Sequence, residues 1–435
     1  MIPCDLMIRS RWCLPIAPDP QPIERGALAI EGGRILAIGP AAELDARYQP
    51  KAAIDLSGHA VLPGLVNAHC HAAMSLLRGA AEDLALEAWL NDAIWPLEGR
   101  VVSPEFVRTG TDLAIAEMLA RGITCFADMY FFPEEAAQRV SVAGLRAQIA
   151  FPIIDYPNPW SSGSAEGFHK GLELHDAYRD DPRIGIAFGP HAAYSVEEAN
   201  LEKTLMFSEE IGRPIQIHLH ETAEEVAAAV ARNGHSWVAR LADIGLLNPS
   251  LQAVHMTQLS DDDIERVAEH GVQVVHCPTS NLKLASGICP TARLAAAGVN
   301  VALGTDGAAS NNALDLFAEA RLAALLAKHL GGAAAGKVET ALRMATLNGA
   351  AALGLADEIG SLEPGKQADL IAVDLSGPSL SPVRDPAAAL VHGPAGEAVS
   401  HVWVAGRCLY ANGDYQTLDL AEIQRRATLA AETCT

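Results

Sequence analysis

Four short segments, far apart in the chain, end an apolar run on residue types that bind metals or move protons. The first runs from Gly64 to His71 and ends on two histidines, His69 and His71. Side chains two positions apart on a strand point to the same face, about 6.6 Å apart. Both imidazoles can therefore reach one divalent metal at nitrogen distances near ~2.1 Å. We expect His69 and His71 to be metal ligands.

The three later segments add further candidate residues. They contain His218, His220, Glu221, His255 and Asp306. Strand alternation puts His218 and His220 on one face, so either could be the third histidine ligand. Three histidines and one aspartate suit Zn²⁺ or Fe²⁺, with a further position left for water. The sequence predicts a divalent metal, with Asp306 as its anionic ligand.

Such a metal would lower the pKa of its water towards ~7 and make hydroxide available at neutral pH. Asp306 would also contact that water. Glu221 lies three residues after His218, where it could act as a general acid and base. His255 could hydrogen-bond the attacking hydroxide or the developing alkoxide. No lysine ends a candidate strand to bridge two metals, and Lys283 is expected in a loop, so we predict one metal.

Strand and helix patterns alternate through the middle of the chain. The strand candidates lie near 65–71, 123–129, 145–154, 183–190, 214–220, 252–257, 272–277 and 299–305. Helices are predicted between them; one starts at Ser103–Pro104 and ends at Gly122, and another starts at Ser260. This order predicts an α/β fold, a parallel (β/α)8 barrel of the TIM type. A doubly wound sheet is the alternative, but glycine motifs that cradle phosphates are missing after the early strands.

Both ends of the chain differ from the middle: their pattern is one of short strands separated by tight turns. Apolar runs at 27–30 and 35–38 flank a Gly-Gly turn, and similar runs recur at 370–373 and 401–410. Neither end has enough strands for an independently stable sheet. We expect residues 1–62 and 362–435 to form one small β-sandwich domain, and residues 63–361 to form the catalytic barrel.

A barrel of this kind carries its chemistry at the carboxyl ends of its strands. His69 and His71 end predicted strand 1, and His191 follows strand 4. His255 ends strand 6, and Asp306 ends strand 8. The candidate residues thus lie where a barrel would bring them together.

Composition excludes several classes of partner. The 435 residues include 31 Lys and Arg against 53 Asp and Glu, for a formal net charge of −22. A nucleic-acid surface needs a basic patch, and none is present. The eight cysteines form no metal-binding or disulfide pattern. The start of the chain lacks the features of a signal peptide, and no apolar run approaches the roughly 20 residues that span a bilayer. We expect a cytoplasmic protein with no membrane partner.

These segments together resemble a known family. PGLVNAHCH, HLHE, HCPTSNLKL and GTDG, at these spacings, look like the amidohydrolase superfamily in its mononuclear deaminase and chlorohydrolase branch. HCHAAMSLLRG (69–79), WLNDAIWPLE (89–98) and GTDGAASNNALDLF (304–317) are similar to the 5′-methylthioadenosine/S-adenosylhomocysteine deaminases. The resemblance covers nearly the whole chain. It implies hydrolytic loss of the amino group at C6 of an adenine nucleoside, giving an inosine-type product and ammonia.

The resemblance also implies a role for individual residues. The metal ligands would be His69, His71, His218 and Asp306, with zinc as the expected metal and Fe²⁺ as the alternative. Glu221 would protonate purine N1 and the departing amine, and His255 would orient the attacking hydroxide. Glu98 would accept hydrogen bonds from the ribose hydroxyls, with His191 beside the ribose and base. Ser310 would support Asp306. Trp89 and Trp95, with Leu86, Met129 and Phe131, would line an apolar pocket.

One departure from the family pattern concerns the substrate. Some members carry an arginine near the third strand that would meet the carboxylate of the homocysteine tail, but no arginine follows Arg146 in residues 148–155. An isolated carboxylate needs a charged partner, so we expect methylthioadenosine to be preferred over S-adenosylhomocysteine.

Two other functions remain open at this point. One is a deaminase or chlorohydrolase of another amino-heterocycle, such as guanine, cytosine or an s-triazine; Glu98, with no ribose to bind, would have no role there. The other is a catalytically silent relative that serves as a binding module. The expected partner is a small nucleoside, and an exposed apolar face of the barrel could support a homo-oligomer.

Overall fold

The computed structural model of the chain describes residues 1–432, which build two sheets and the helices around them. The first sheet has nine strands, drawn from both ends of the chain: β1 (Ile2–Cys13), β2 (Ile23–Glu24), β3 (Gly26–Glu31), β4 (Arg34–Pro40), β5 (Tyr48–Pro63), β14 (Leu370–Asp374), β15 (Val399–Val404), β16 (Arg407–Ala411) and β17 (Asp414–Tyr415). The second has eight, all from the middle: β6 (Leu65–Cys70), β7 (Ile123–Met129), β8 (Arg146–Ile153), β9 (Ile184–Pro190), β10 (Ile215–Leu219), β11 (Leu251–His255), β12 (Gln273–His276) and β13 (Val301–Leu303).

Helices connect the strands of the second sheet and cover parts of the first. The α-helices are α1 (Ala41–Arg47), α2 (Leu86–Ala88), α3 (Trp95–Val101), α4 (Pro104–Ala120), α5 (Pro133–Ala143), α6 (Ser164–Tyr178), α7 (Glu198–Ile211), α8 (Ala223–Asn233), α9 (Trp237–Asp243), α10 (Asp261–Glu269), α11 (Pro278–Lys283), α12 (Thr291–Ala296), α13 (Ala308–Asn311), α14 (Leu316–Gly331), α15 (Val338–Met344), α16 (Leu347–Ala352), α17 (Pro386–His392) and α18 (Leu420–Glu432). Two 3₁₀-helices span Ala72–Leu77 and Ala395–Ala398, and a π-helix spans Trp89–Ile94.

The second sheet is a parallel barrel in which β6 to β13 pair in chain order. Strands β7 and β8 are buried along their whole length, as expected for parallel strands with both faces covered. At the seam, the backbone N–H of Asp306 donates to the carbonyl of His69 (3.0 Å). The N–H of Thr305 donates to the side chain of Asn67 (2.9 Å). The predicted (β/α)8 architecture is confirmed, and the doubly wound alternative is wrong.

The first sheet joins the two ends of the chain. Strand β5, from the N-terminal part, lies between β1 and the C-terminal strand β14, in register from Pro63 opposite Leu370 to His59 opposite Asp374. The predicted hairpin around the Gly-Gly turn is the antiparallel pair β3 and β4. A split β domain from both chain ends is therefore confirmed, while its boundaries at 62 and 362 stay a prediction.

Local signals explain where the helices begin. Ser103 accepts a hydrogen bond from the N–H of Phe106 (3.2 Å) and caps α4. Ser260 and Asp263 form a reciprocal capping box at α10. One prediction is wrong: Lys283 is the last residue of α11, where it pairs with Glu82 (2.9 Å). Within residues 1–432, no helix combines the length and apolar character that crossing a membrane requires.

A buried ion pair links the barrel to the first sheet. Arg146 on β8 contacts Asp369, just before β14, with Nε 3.1 Å from Oδ2. The two side chains are 5% and 1% exposed. The guanidinium also donates to the carbonyl of Pro182 (2.9 Å), and Asp369 accepts from the N–H of Ala405 (2.7 Å). Each charge is thus matched by a partner in the other unit.

Replacing Arg146 should therefore destabilise the whole chain. Arg146→Leu leaves the carboxylate of Asp369 buried without a cation, a change that typically costs about 3–5 kcal/mol. Thermal unfolding should show a clearly lower Tm. The double variant Arg146→Leu with Asp369→Asn removes both charges and should recover part of the loss. If the Tm of the double variant falls by as much as the sum of the decreases in Arg146→Leu and Asp369→Asn alone, the two charges do not stabilise each other.

Candidate active site

The carboxyl ends of the barrel strands bring four metal-type donors together. Nε2 of His218 lies 3.2 Å from Nε2 of His69. Oδ1 of Asp306 lies 3.6 Å from Nε2 of His69 and 3.3 Å from Nε2 of His71. His69 lies in β6 and His71 directly after it, His218 lies in β10, and Asp306 follows β13, so only the closed barrel brings them together. Their side chains converge on one point.

Each of the three imidazoles is oriented through its other nitrogen. Nδ1 of His69 lies 2.8 Å from Oε1 of Gln216, Nδ1 of His71 faces the carbonyl of Met129, and Nδ1 of His218 lies 2.7 Å from the carbonyl of His191. These oxygens can only accept, so each Nδ1 carries the proton. Each Nε2 then presents a lone pair to the point of convergence, which is how histidines that bind metals are held.

The structure distinguishes between the two histidines of β10 and its end. The strand stops at Leu219, and His220 has a positive φ of 51° that breaks the alternation. Its Nδ1 lies 2.8 Å from the carbonyl of Gln258, and its Nε2 accepts from the N–H of Val238. Both nitrogens of His220 are used elsewhere, so His218 is the residue that faces the other donors.

Electrostatics suit a cation at this point. Burial raises the pKa of Asp306, but its contacts with His69 and His71 outweigh this effect and hold that pKa well below its usual range. Burial and neighbouring histidines lower the pKa of His218 well below its usual value. Burial lowers the pKa of His71, but its contact with Asp306 outweighs this and raises that pKa above its usual value. A bound cation would displace this proton, leaving three neutral imidazoles and one carboxylate as donors. This donor set fits a divalent metal such as Zn²⁺ or Fe²⁺.

The support of Asp306 differs from the expectation. Ser280, at the start of α11, donates from Oγ to Oδ2 of Asp306 (2.5 Å). Ser310 instead donates to the carbonyl of Gly307 (3.2 Å) and does not line the cavity. The direct hydrogen bond to Asp306 is thus made by Ser280 and not by Ser310. The backbone of Asp306 has a positive φ of 60°, uncommon for a residue other than glycine, and it turns the carboxylate inward.

Glu221 and His255 lie beside the four donors. Nε2 of His255 is 3.5 Å from Oε2 of Glu221. Burial raises the pKa of Glu221 well above its usual value, and the charges of Asp306 and Glu225 add to this. This environment favours the protonated carboxyl. Ser286 donates to Oε1 of Glu221 (3.2 Å), and Glu225 accepts from its backbone N–H (2.7 Å), which fixes its position.

A cavity of about 280 Å³ opens above these groups. Its apolar wall includes the five residues expected there: Leu86, Trp89, Trp95, Met129 and Phe131. The polar residues that reach it include His71, Glu98, His191, His218, Glu221, His255 and Asp306. Among the described residues that line it, none is a lysine or an arginine. The cavity therefore suits a neutral ligand with a polar end and an apolar end.

Glu98 lies on the wall between those ends. It is 6% exposed, and the hydroxyl of Tyr130 donates to its Oε1 (2.5 Å). Burial raises the pKa of Glu98 to about 7. His191 lies across the cavity; burial lowers its pKa to about 4, so it is neutral. A buried carboxyl with one remaining oxygen can accept hydrogen bonds from a ligand.

Several residues around the site were missed from the sequence. Tyr130, Gln216, Ser280, Asn281 and Ser286 each contact a residue named above. Gln216 could have been found, because it lies two positions before His218 on the same face of β10. Ser280 and Asn281 follow the end of β12 in the chain, where function concentrates in a barrel. The others lie in loops whose path no periodicity predicts.

Comparison with known proteins extends these observations. The amidohydrolase family model matches residues 60–409, and a model of the bacterial imidazolonepropionase-like composite domain matches residues 26–48. A curated protein of Teredinibacter turnerae named 5-methylthioadenosine/S-adenosylhomocysteine deaminase is 50% identical over 424 residues, which are 97% of this chain and 96% of that protein.

Solved structures agree with the fold. A crystal structure of an adenosine deaminase from Xanthomonas campestris with bound zinc superposes with a TM-score of 0.98 at 46% identity, covering 100% of this chain and 99% of that one. An atrazine chlorohydrolase from Arthrobacter aurescens complexed with zinc superposes with a TM-score of 0.90 at 24% identity, covering 98% of this chain and 100% of that one. At that identity the likeness concerns the fold alone.

Removing the hydroxyl of Ser280 should weaken metal binding. In Ser280→Ala the carboxylate of Asp306 loses a hydrogen bond that orients it, and losses of this kind typically cost roughly 10–100-fold in metal affinity or activity. Zinc affinity can be measured by competition with a chelator. Ser208→Ala, which removes a buried hydroxyl that donates to the carbonyl of Arg213, is the matched control. Equal zinc affinity in the two variants would contradict the role of Ser280.

Proposed function

Because the chain belongs to the amidohydrolase family, we propose that it is a metal-dependent hydrolase that deaminates adenine nucleosides, with 5′-methylthioadenosine as its preferred substrate. The observation that carries this proposal is one cavity with three parts. The metal-type donors His71, His218 and Asp306 form its floor, the buried carboxyl of Glu98 lies on its wall, and the remaining wall is apolar and contains no lysine or arginine among the described residues. These match the C6 amine, the ribose and the thioether of the nucleoside. The similarity to relatives named for this reaction supports it.

The metal we propose is zinc, held by His69, His71, His218 and Asp306. A divalent metal at this place supplies a Lewis acid that lowers the pKa of a bound water towards about 7. The three histidines would be neutral with the metal bound, and they are oriented because their Nδ1 protons are bound to oxygens. The zinc in the similar Xanthomonas campestris structure supports this choice over iron.

Glu221 moves the protons of the reaction. Its raised pKa favours the protonated carboxyl, which can give its proton to N1 of the purine. Protonation of N1 makes C6 a better electrophile. The resulting carboxylate then takes a proton from the attacking water and passes it to the departing amine. As the C–N bond breaks, the carboxylate takes the remaining proton of the C6 hydroxyl, which restores the protonated Glu221. One C–O bond forms at C6 and one C–N bond breaks, so water and the nucleoside give the inosine-type product and ammonia.

His255 and Asp306 act on the oxygen that attacks. Burial lowers the pKa of His255 to about 3, so it stays neutral and donates a hydrogen bond rather than a charge. Nε2 of His255 lies 3.5 Å from Oε2 of Glu221, so both groups can reach the same atom of a ligand. Asp306 is ionised and can accept a hydrogen bond from the incoming water. The hydrogen bond from His255 strengthens as negative charge develops on that oxygen, which favours the transition state, whereas Asp306 orients the incoming water.

The ribose and its 5′ substituent would occupy the outer part of the cavity. Glu98 would accept hydrogen bonds from the 2′- and 3′-hydroxyls, with Tyr130 holding its other oxygen. His191 and Trp89 would lie on either side of the ribose and base. The methylthio group would contact apolar side chains. Since no lysine or arginine is among the described lining residues, a homocysteine carboxylate would lose its hydration without gaining a partner.

A panel of nucleosides tests the proposal. Ammonia release and loss of adenine absorbance should be seen with methylthioadenosine, and its kcat/KM should exceed that of S-adenosylhomocysteine. Adenosine should also react, whereas guanine, cytosine and s-triazines should not. Glu221→Gln should keep its metal and lose about 10²–10⁴-fold in kcat, the usual contribution of acid–base catalysis. Turnover of a free base or a triazine in place of nucleosides would contradict the proposal.

The role of Glu98 predicts a pH dependence. Because its pKa is raised to about 7, the carboxyl is protonated below that pH and accepts ribose hydroxyls poorly. The kcat/KM for methylthioadenosine should therefore fall as pH drops through about 7. In Glu98→Gln, which keeps the shape of the side chain, activity should be low and this limb of the profile should be absent. The same limb in the variant would show that another group titrates.

A further inference from the structure

Asn281 contacts His255 in a way that separates this histidine from the other three. Its side-chain nitrogen Nδ2 lies 2.9 Å from Nδ1 of His255, and both residues are buried. An amide nitrogen can only donate a hydrogen bond, so Nδ1 of His255 must accept. A neutral imidazole carries a single N–H, which is then on Nε2. His69, His71 and His218 have the opposite arrangement, because their Nδ1 atoms face oxygens.

This difference matters because His255 is close enough to join the metal site. One ring nitrogen of His255 and one each of His69 and His218 all lie within 4.8 Å of one another. By distance alone these three histidines form a metal-type cluster. A nitrogen that carries a proton has no lone pair for a metal. The contact with Asn281 therefore decides whether His255 is a ligand or a donor.

The orientation of the amide is supported by what surrounds it. Among the described residues, Oδ1 of Asn281 has no hydrogen-bond partner. The reversed amide would satisfy Oδ1 but leave the whole NH₂ group buried without an acceptor. Unsatisfied buried N–H groups are rarer than under-satisfied carbonyls. The observed orientation leaves fewer donors without a partner.

We propose that Asn281 is a positioning residue that keeps the proton on Nε2 of His255, so that His255 donates a hydrogen bond into the cavity and stays out of the metal's ligand set. Its neighbour Ser280 holds Asp306, so two adjacent residues of α11 fix two different groups. The backbone N–H of Thr279 is anchored to Glu319 (3.0 Å), which fixes the start of the helix. The inference deepens the proposed function.

Nuclear magnetic resonance of ¹⁵N-histidine in the zinc-loaded protein tests this directly, because imidazole nitrogen shifts distinguish the two tautomers. The signal of His255 is identified by its absence in His255→Gln. The wild type should show the Nε2–H form. Asn281→Asp replaces the donor by a carboxylate, which can only accept, so His255 should change to the Nδ1–H form. The kcat should fall roughly 10²-fold or more, with KM within about threefold, because the lost donor acts in the transition state.

The exposed Asn312 provides the matched control. Asn312 follows α13 and contacts Lys283, the last residue of α11. Asn312→Asp adds the same charge at this exposed position and should leave the His255 signal unchanged. An Nδ1–H form in the wild type, or the same form in wild type and Asn281→Asp, would overturn the proposal. If Asn281→Asp does not fold, the wild-type spectrum alone decides. The spectrum needs no substrate, so a chain with the expected tautomers but no deaminase activity would refute only the proposed function.

Discussion

The structure depends on one buried anion surrounded by three oriented imidazoles. The carboxylate of Asp306 is 6% exposed, and a charge in such a place is stable only when it is paired or bound to a cation. His69 and His71 approach one of its oxygens, and Ser280 donates to the other. The barrel must close for these groups to meet. Closure of the barrel and the proposed metal binding therefore depend on the same few contacts.

The hydrogen bonds that orient these groups continue into the barrel interior. Gln216, which accepts from His69, also donates to the carbonyl of Ala68 (3.0 Å) and to Gln252 (2.8 Å). Gln252 in turn donates to Gln148 (3.0 Å) on β8. A network of buried amides holds its shape only when its members are satisfied. These hydrogen bonds between buried amides therefore hold the ring of His69 in one orientation.

The strand-to-helix alternation was enough to predict the barrel and the end of each of its strands to within about two residues, because buried parallel strands leave a plain apolar pattern. That pattern also brought His69, His218, His255 and Asp306 to one edge. It could not separate His218 from His220, since alternation holds only while the strand continues, and His220 already has a positive φ. The contacts of Ser280 and Tyr130 depend on the paths of a short helix and a loop, which periodicity does not describe.

The central claim is that a single divalent cation, held by these four residues, makes the chain a nucleoside deaminase. The most direct measurement is a metal titration: the protein is stripped with a chelator, zinc is added in steps, and methylthioadenosine deamination is recorded at each step. The account predicts no activity without metal, a linear rise, and a plateau at one zinc per chain. Full activity of the stripped protein, or a plateau only at two metals per chain, would contradict it.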